Sequence, residues 1–310
     1  MILNILILLL GLLAVVKGAD FLVDGASSLA RRWGLSEFII GLTIVGMGTS
    51  APEMVVSFIG AIEGNPDVSM GNILGSNIFN TLLILGVTAL LLPIKVTSEN
   101  RRTDAPVNVA IVLLLFVLSL DDKLSRLDGL VFLVCFALYM WWSFRHQSNQ
   151  PEEVQAEPER KVWLSAFLVL GGLALLVLGG RFFVNSAVDI AHSLGVSDKF
   201  IAITILAGGT SMPELATCVA AAAKKKGQLA LGNIIGSNVF NILLILGGSA
   251  VIHPLELTGF SYVDLGMLLL SALALLFATL IGRKKEMGVI SGTCFLLLFV
   301  GYMTYLIINL

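Results

Sequence analysis

Two glutamates in matching hexapeptides are the residues of this chain best suited to do chemistry. The segment Gly48-Thr49-Ser50-Ala51-Pro52-Glu53 returns 161 residues later as Gly209-Thr210-Ser211-Met212-Pro213-Glu214. Each copy lies inside an apolar stretch, where a carboxylate is costly and usually functional. We therefore expect Glu53 and Glu214 to meet near the middle of a membrane and to form an ion site.

The prolines of the two hexapeptides are expected to interrupt the helices that carry the glutamates. Proline lacks an amide hydrogen and suits the first turn of a new helix. Carbonyls one turn earlier, near Thr49 and Thr210, then lose their helical partners, which lipid tolerates only if another group satisfies them. Because Thr49 and Glu53 are four residues apart, the freed carbonyls and the carboxylate share one face.

A polar stripe follows each hexapeptide. Asn72, Ser76 and Asn80 are four residues apart and share one helical face. Asn233, Ser237 and Asn241 repeat the stripe, and Asn77 and Asn238 lie one residue around the helix. Parallel stripes of glycine, which let another helix approach closely, are formed by Gly71, Gly75, Gly232 and Gly236.

The candidate ligands are all oxygens, which suit hard cations, and two carboxylates with neutral oxygens suit Ca²⁺. Burying two carboxylates costs several kcal/mol per ion, so Ca²⁺, Na⁺ ions or protons must neutralise them. Ligands that share the same carboxylates exclude one another, which favours antiport if access alternates. A passive cation channel and an intramembrane enzyme are the other classes. No catalytic arrangement supports the enzyme.

Composition indicates an all-α polytopic membrane protein. The 310 residues are 57% hydrophobic and 13% charged, against about 25% charged in soluble domains. A net charge of −2, without a basic face carrying aromatics, gives no sign of nucleic-acid binding. Ten spans are predicted, at residues 2–24, 37–62, 68–92, 106–121, 127–144, 162–186, 198–223, 229–252, 259–281 and 287–308.

An internal repeat organises the spans. Residues 18–93 align without gaps with residues 179–254, with 31 identical positions. Five spans per unit, an odd number, invert the second copy, and inverted repeats place a substrate site at their interface. An inverted repeat disfavours a passive cation channel. We predict an N-terminal five-helix repeat at 1–144, a linker at 145–161 and an inverted C-terminal repeat at 162–310.

Basic residues predict the orientation. Counting the loops in order, the odd-numbered loops hold 14 of the 19 lysines and arginines. The positive-inside rule places these loops, including the linker 145–161, in the cytoplasm. Both termini are then outside.

The motifs GTSAPE with GNILGSNIFN, and GTSMPE with GNIIGSNVFN, resemble the two alpha-repeats of the calcium/cation antiporter superfamily, specifically its sodium/calcium exchanger branch. The resemblance implies a ten-helix exchanger fold whose long first and sixth helices slide. It implies a secondary transporter, not an enzyme, that exports Ca²⁺ with the Na⁺ gradient. Lacking large Ca²⁺-sensing domains, it resembles compact exchangers of the prokaryotic inner membrane. No cofactor beyond the transported ions and no protein partner is implied, and a monomer can suffice.

The resemblance also implies roles for residues. Glu53 and Glu214 would bind Ca²⁺ with the backbone oxygens of Thr49 and Thr210. The Na⁺ positions match Ser50, Ser76, Ser211 and Ser237 with carbonyls near Gly46 and Ala207, the central pair matches Asn80 and Asn241, and Asn72 and Asn233 are secondary candidates. Many relatives have an aspartate in the central pair, so two asparagines disfavour K⁺ co-transport. Residues after the Gly-Asn pair favour Na⁺ over H⁺, with Ca²⁺/H⁺ and K⁺-dependent exchange as alternatives.

Overall fold

The computed structural model describes residues 2–146, 160–194, 207–257, 262–281 and 286–309. Most of the predicted linker, the start of the predicted seventh span and the basic residues 283–285 lie outside the described residues. The helices are α1 Ile2–Trp33, α2 Glu37–Thr49, α3 Ala51–Ile62, α4 Pro66–Leu91, α5 Ala105–Leu118, α6 Arg126–Arg145, α7 Val162–Ser193, α8 Ala207–Gly209, α9 Met212–Ala223, α10 Gly227–Ile252, α11 Tyr262–Ile281 and α12 Val289–Asn309. The strands are β1 Ile94–Lys95, β2 Lys123–Leu124, β3 Leu255–Glu256 and β4 Glu286–Met287.

The helices are those of a membrane protein. Among the described residues, seven helices are long and apolar enough to cross a bilayer, and the bent pair α2 and α3 would make an eighth. These seven have 20 residues or more, the length that a hydrocarbon core of about 30 Å requires. The predicted all-helical membrane class is therefore confirmed.

The helices that contain the first and sixth predicted spans extend beyond the ends predicted for those spans. The helices α1 and α7 continue to Trp33 and Ser193, and each has 32 residues. The polar residues near the predicted ends remain helical because they find partners, such as Lys224 for Asp24 at 2.6 Å. The helix α1 stops at Gly34, whose φ of +65° allows the amide of Leu35 to donate to the carbonyl of Ala30 at 2.9 Å.

The long helices α1 and α7 pack closely along a seam of small residues. Gly11, Gly18 and Gly25, spaced seven apart, face Gly179, Gly172 and Ser165 in antiparallel order. A Cβ on Gly18 would lie 2.8 Å from the carbonyl oxygen of Gly172. Small residues of this kind let membrane helices approach to backbone contact.

The centre of the molecule is formed by the broken helices and by α4 and α10. Every residue from Gln228 to Val239 in α10 is buried. Cβ atoms added to Gly232 and Gly236 would meet the carbonyl oxygens of Phe38 and Leu42 in α2, which confirms the predicted role of this glycine stripe. In the first copy, Gly75 has no neighbour within 4 Å among the described residues.

Outer helices from one half of the chain pack on central helices from the other half. A Cβ on Gly292 of α12 would lie 2.7 Å from the carbonyl oxygen of Gly86 in α4. A Cβ on Gly129 of α6 would lie 2.5 Å from that of Gly247 in α10. Gly86 and Gly247 are 161 residues apart, the offset of the sequence repeat, so the two copies make equivalent contacts.

Two short antiparallel ribbons join connections that are distant in sequence. Strand β1 pairs with β4, with Ile94 opposite Met287, and β2 pairs with β3, with Leu124 opposite Leu255. The side chain of Gln228, at the start of α10, donates to the carbonyl of Lys95 in β1. The connections after α4, after α9 and before α12 therefore lie at one end of the molecule.

Candidate cation site

Both predicted helix breaks are present, and each glutamate follows one of them. The helix α3 begins directly after Ser50, whose φ and ψ are −81° and 8°, and α9 begins after Ser211, with −85° and 9°. Across the first break the helix axis bends by 50°. Glu53 and Glu214 occupy the first turns of α3 and α9, where the positive end of the helix dipole stabilises a carboxylate.

Serines from opposite copies of the repeat connect the two carboxylates. The hydroxyl of Ser50 donates to Oε1 of Glu214 at 3.1 Å, and that of Ser211 donates to Oε1 of Glu53 at 3.4 Å. Both serines are buried, as are both glutamates, which are 1% and 0% exposed. This crossed pattern brings the two predicted glutamates into one cluster.

The polar stripes of α4 and α10 add a second serine to each carboxylate. Ser76 lies 3.4 Å from Oε1 of Glu53, and Ser237 lies 3.5 Å from Oε1 of Glu214. Ser237 also lies 3.4 Å from the carbonyl oxygen of Gly46. All four serines predicted from the resemblance are therefore hydrogen-bonded to a glutamate.

Among the described residues, four buried carboxylate or amide oxygens of α3, α9, α4 and α10 have no hydrogen-bond partner: Oε2 of Glu53, Oε2 of Glu214, Oδ1 of Asn80 and Oδ1 of Asn241. We call these four residues the acceptor cluster. Buried polar atoms without partners are rare in folded proteins and call for an explanation. Because all four atoms are acceptors, a cation is a group that would satisfy them.

The amides of Asn80 and Asn241 are each hydrogen-bonded to an asparagine of the opposite copy. Asn241 donates from Nδ2 to Oδ1 of Asn77 at 2.8 Å, and Asn80 donates from Nδ2 to Oδ1 of Asn238 at 3.4 Å. Asn77 and Asn238 were noted in the sequence only as neighbours of the polar stripe. Their position beside the polar stripe was the only sequence signal of a role near the site. Their partners lie about 160 residues away in sequence, so spacing could not identify them.

The secondary candidates Asn72 and Asn233 donate hydrogen bonds to the preceding helices, α3 and α9. Asn72 donates to the carbonyl oxygen of Glu53 at 3.1 Å and to the hydroxyl of Ser57 at 3.0 Å. Asn233 donates to the thiol of Cys218 at 3.4 Å. Ser57 and Cys218 are equivalent positions of the repeat, so the two asparagines make equivalent contacts with the preceding helices.

The remaining predicted positions lie around the breaks. The hydroxyl of Thr49 lies 3.2 Å from Oδ1 of Asn233, and the carbonyl of Gly46 accepts from the amide of Ser50 at 3.1 Å. Thr210 lies in the break between α8 and α9, and Ala207 begins α8. The side chain of Ala207 is outside the described residues. Backbone oxygens of Thr49 and Thr210 as ligands remain a prediction.

The helices and the acceptor cluster define a polytopic membrane protein with an oxygen-lined interior suited to cations. Within the described ranges, no three side chains of His, Cys, Asp or Glu gather as metal ligands. Softer metals prefer imidazole or thiolate, whereas carboxylate and neutral oxygen ligands suit Ca²⁺.

Known proteins resemble this chain over nearly its whole length. The family model of the sodium/calcium exchanger protein matches residues 3–145 and 164–308. A putative antiporter CaxA from Alkalimonas amylolytica is 41% identical, covering 95% of each chain, and the sodium/calcium exchanger MaX1 from Methanosarcina acetivorans is 33% identical, covering 83% of this chain and 85% of that protein. A solved structure of the sodium-calcium exchanger NCX_Mj, soaked with Na⁺ and Ca²⁺, is 33% identical, covers 98% of both chains and has a TM-score of 0.86.

This chain belongs to the sodium/calcium exchanger family, as the resemblance predicted. It is a membrane exchanger of cations, including Ca²⁺.

Proposed function

We propose that the protein is a secondary antiporter that exports Ca²⁺ in exchange for Na⁺ by alternating access. The observation that carries the proposal is the acceptor cluster, in which two carboxylates and two amides leave four buried oxygens without a partner among the residues that the structure describes. Two uncompensated buried charges cost several kcal/mol each. Bound cargo removes that cost, so an empty site resists crossing between the two access states.

The ligand set supports Ca²⁺ as one cargo ion. Ca²⁺ takes six to eight oxygen ligands, among them carboxylates, carbonyls and amide oxygens. In this proposal Glu53 and Glu214 bind Ca²⁺ with the backbone oxygens of Thr49 and Thr210, and Asn80 and Asn241 form the central pair. Two negative charges match the charge of one Ca²⁺.

The serines support Na⁺ as the other cargo ion. Each of Ser50, Ser76, Ser211 and Ser237 lies within 3.5 Å of a carboxylate oxygen, and a hydroxyl that donates one hydrogen bond keeps lone pairs for a cation. Na⁺ would bind these hydroxyls and carbonyls near Gly46 and Ala207. The names of the similar proteins MaX1 and NCX_Mj also contain sodium.

We propose an architecture of ten spans in two inverted five-helix repeats, residues 1–144 and 162–310, joined by the linker 145–161. The strand pairs support it, because β1 pairs with β4 and β2 pairs with β3, and the alternating topology puts each pair on one side. The positive-inside rule then puts the linker in the cytoplasm and both termini outside. We place the protein in a prokaryotic inner membrane, where a monomer can suffice.

The test is ⁴⁵Ca²⁺ flux in proteoliposomes with imposed Na⁺, K⁺ or H⁺ gradients. Flux driven by Na⁺ alone is expected. Flux driven by H⁺, or by Na⁺ only when K⁺ is present, would replace the proposed coupling with one of the alternatives. Rapid ion conductance without exchange would indicate a channel.

Glu53→Gln or Glu214→Gln is expected to abolish Ca²⁺ transport while the fold survives. Removing one member of a buried charge set costs about 3–5 kcal/mol, more than a hundredfold in Ca²⁺ affinity. Glu63→Gln is the matched control, because Glu63 is exposed at the end of the same helix α3. Near-normal Ca²⁺/Na⁺ exchange in either site variant would refute the assignment of the carboxylates.

A further inference from the structure

Asn77 and Asn238 lie behind the central pair, on the side away from the unpartnered oxygens. We propose that they are positioning residues, which hold the amides of Asn241 and Asn80 with oxygen rather than nitrogen facing the cation. The inference rests on the proposed function, since it needs a cation at the acceptor cluster. All four asparagines are buried, with at most 2% of each residue exposed.

The orientation of Asn241 follows from a chain of hydrogen bonds that begins at the backbone. Nδ2 of Asn77 donates to the carbonyl oxygen of Asn238 at 3.2 Å. A carbonyl can only accept, so this end of Asn77 must be its amino group. Oδ1 of Asn77 therefore faces Asn241 and requires a donor, which Nδ2 of Asn241 supplies at 2.8 Å.

The oxygen of Asn241 is left on the opposite side of its amide, where no group in the described part of the chain hydrogen-bonds to it. The two ends of an asparagine amide have nearly the same shape, so packing alone does not choose between them. A reversed amide would place an amino group, a donor with partial positive charge, against the cation. The backbone carbonyl of Asn238 thus determines, through Asn77, which atom the site receives.

Asn80 is held by a similar chain with a weaker anchor. Its Nδ2 lies 3.4 Å from Oδ1 of Asn238, whose own Nδ2 donates to the hydroxyl of Thr81 at 2.8 Å. A hydroxyl can donate or accept, so Thr81 restricts the orientation less than a carbonyl does. The repeat equivalent of Thr81 is Ile242, and the two chains of hydrogen bonds are therefore anchored differently.

The same hydrogen bonds also join α4 to α10, and interhelical asparagines can serve packing alone. The two roles differ in one respect. If Asn77 orients Asn241, replacing Asn77 should weaken Ca²⁺ binding much less once the side chain at position 241 is a carboxylate, since both of its ends are then oxygens. If Asn77 only joins the helices, the cost of replacing it should not depend on position 241.

The experiment is a double-mutant cycle read by equilibrium ⁴⁵Ca²⁺ binding to the purified full-length protein. Asn77→Leu is expected to weaken Ca²⁺ binding by about tenfold, the equivalent of one well-placed hydrogen bond. In the Asn241→Asp background, the same change is expected to weaken binding by less than about threefold, because contacting residues are non-additive. An equal loss in both backgrounds, or no loss in the first, overturns the proposal.

A milder pair of variants tests the chain of hydrogen bonds that holds Asn80, without removing an asparagine. Thr81→Val is expected to weaken Ca²⁺ binding by about threefold, since it removes the anchor of Asn238. Thr88→Val is the matched control, because Thr88 is buried in the same helix and its hydroxyl donates to the carbonyl of Ile84 at 2.7 Å. Equal effects of the two substitutions would contradict a positioning role for this chain.

Failure of the coupling proposal gives a different result. If the wild-type protein binds Ca²⁺ but does not exchange it for Na⁺, the proposed coupling is refuted. The double-mutant cycle then still tests the positioning role of Asn77, because it measures binding alone. Wild-type protein that binds no Ca²⁺ refutes both proposals. Thermal melting of each variant by circular dichroism separates unfolding from a change in the site.

Discussion

In each glutamate of the acceptor cluster, the two carboxylate oxygens have different surroundings. Oε1 accepts hydrogen bonds from serines of both copies, whereas Oε2 has no partner within the described ranges. The serine bonds hold the carboxylates in place before cargo arrives, which lowers the ordering cost of binding. The unpartnered oxygen is the atom available to a cation, so a fixed site and an open ligand position coexist in one side chain.

Asn80→Asp is expected to change cation coupling more than Ca²⁺ binding. A third carboxylate adds a negative charge to the acceptor cluster, and a buried charge requires compensation. We expect Ca²⁺/Na⁺ exchange in this variant to become sensitive to K⁺ or H⁺. Flux measured with each ion varied in turn checks this, and unchanged sensitivity to both would count against it.

Local spacing predicted the members of the site better than their contacts. The glutamates, serines and asparagines follow from motifs that recur at a fixed offset, and a carboxylate in an apolar span is conspicuous. The crossed partners, Ser50 with Glu214 and Ser211 with Glu53, lie more than 150 residues apart and could not be read from spacing. For the same reason Asn77 and Asn238 received no role from the sequence.

Helix breaks and glycine seams are the features that matter at the scale of elements. Pro52 and Pro213 lie in the first turns of new helices, directly after the breaks at Ser50 and Ser211, so both glutamates lie at helix N-termini. At Gly11, Gly18 and Gly25, the seam between α1 and α7 brings backbone atoms of the two helices into close approach. A smooth seam of this kind has few barriers to sliding, in keeping with the movement that the family resemblance implied for these helices.

Adjacent glycines in α7 provide a matched test of the seam. A Cβ on Gly172 would lie 2.7 Å from the amide nitrogen of Leu22 in α1, whereas Gly171 has no such neighbour within 4 Å among the described residues. Gly172→Ala is expected to destabilise the protein by about 1–3 kcal/mol, the usual cost of overpacking, and to slow exchange. Gly171→Ala is expected to change neither melting temperature nor flux, and similar losses in both would refute the seam.

At the scale of the whole molecule, the two halves interlock rather than form separate units. Gly86 of α4 packs on α12, and Gly247 of α10 packs on α6. At one end, Lys224 between α9 and α10 lies 3.3 Å from Asp20 and 2.6 Å from Asp24 of α1, and Arg160 lies 3.2 Å from Asp24. These ion pairs connect the long helix pair to the central helices at the end that we assign to the cytoplasm.

Lys224→Gln is expected to favour the state that opens at this end. Partly exposed pairs are each worth at most about 1 kcal/mol, so we expect a severalfold shift between the apparent Ca²⁺ affinities at the two membrane faces. Exchange itself should persist. Lys225→Gln is the control, because Lys225 is exposed and makes no described ion pair.

The shift is expected to shrink at high ionic strength, because salt screens partly exposed charges. Sided flux measurements in low and high salt check this. A salt-independent difference, or an equal one in the Lys225 variant, would show that the ion pairs do not hold this end closed.

The sequence by itself determined the membrane class, the duplicated motifs, the two glutamates and the family, because apolar length, the cost of intramembrane charge and a fixed repeat offset are all local or periodic properties. Tertiary structure decided which serine meets which carboxylate, which end of each central amide faces the site, and how Asp20 and Asp24 find Lys224. The crossed serine contacts, the orientation of the central amides and the ion pairs of Lys224 depend on contacts between residues more than 150 positions apart. Such contacts follow from how the helices pack and leave no periodic signal along the chain.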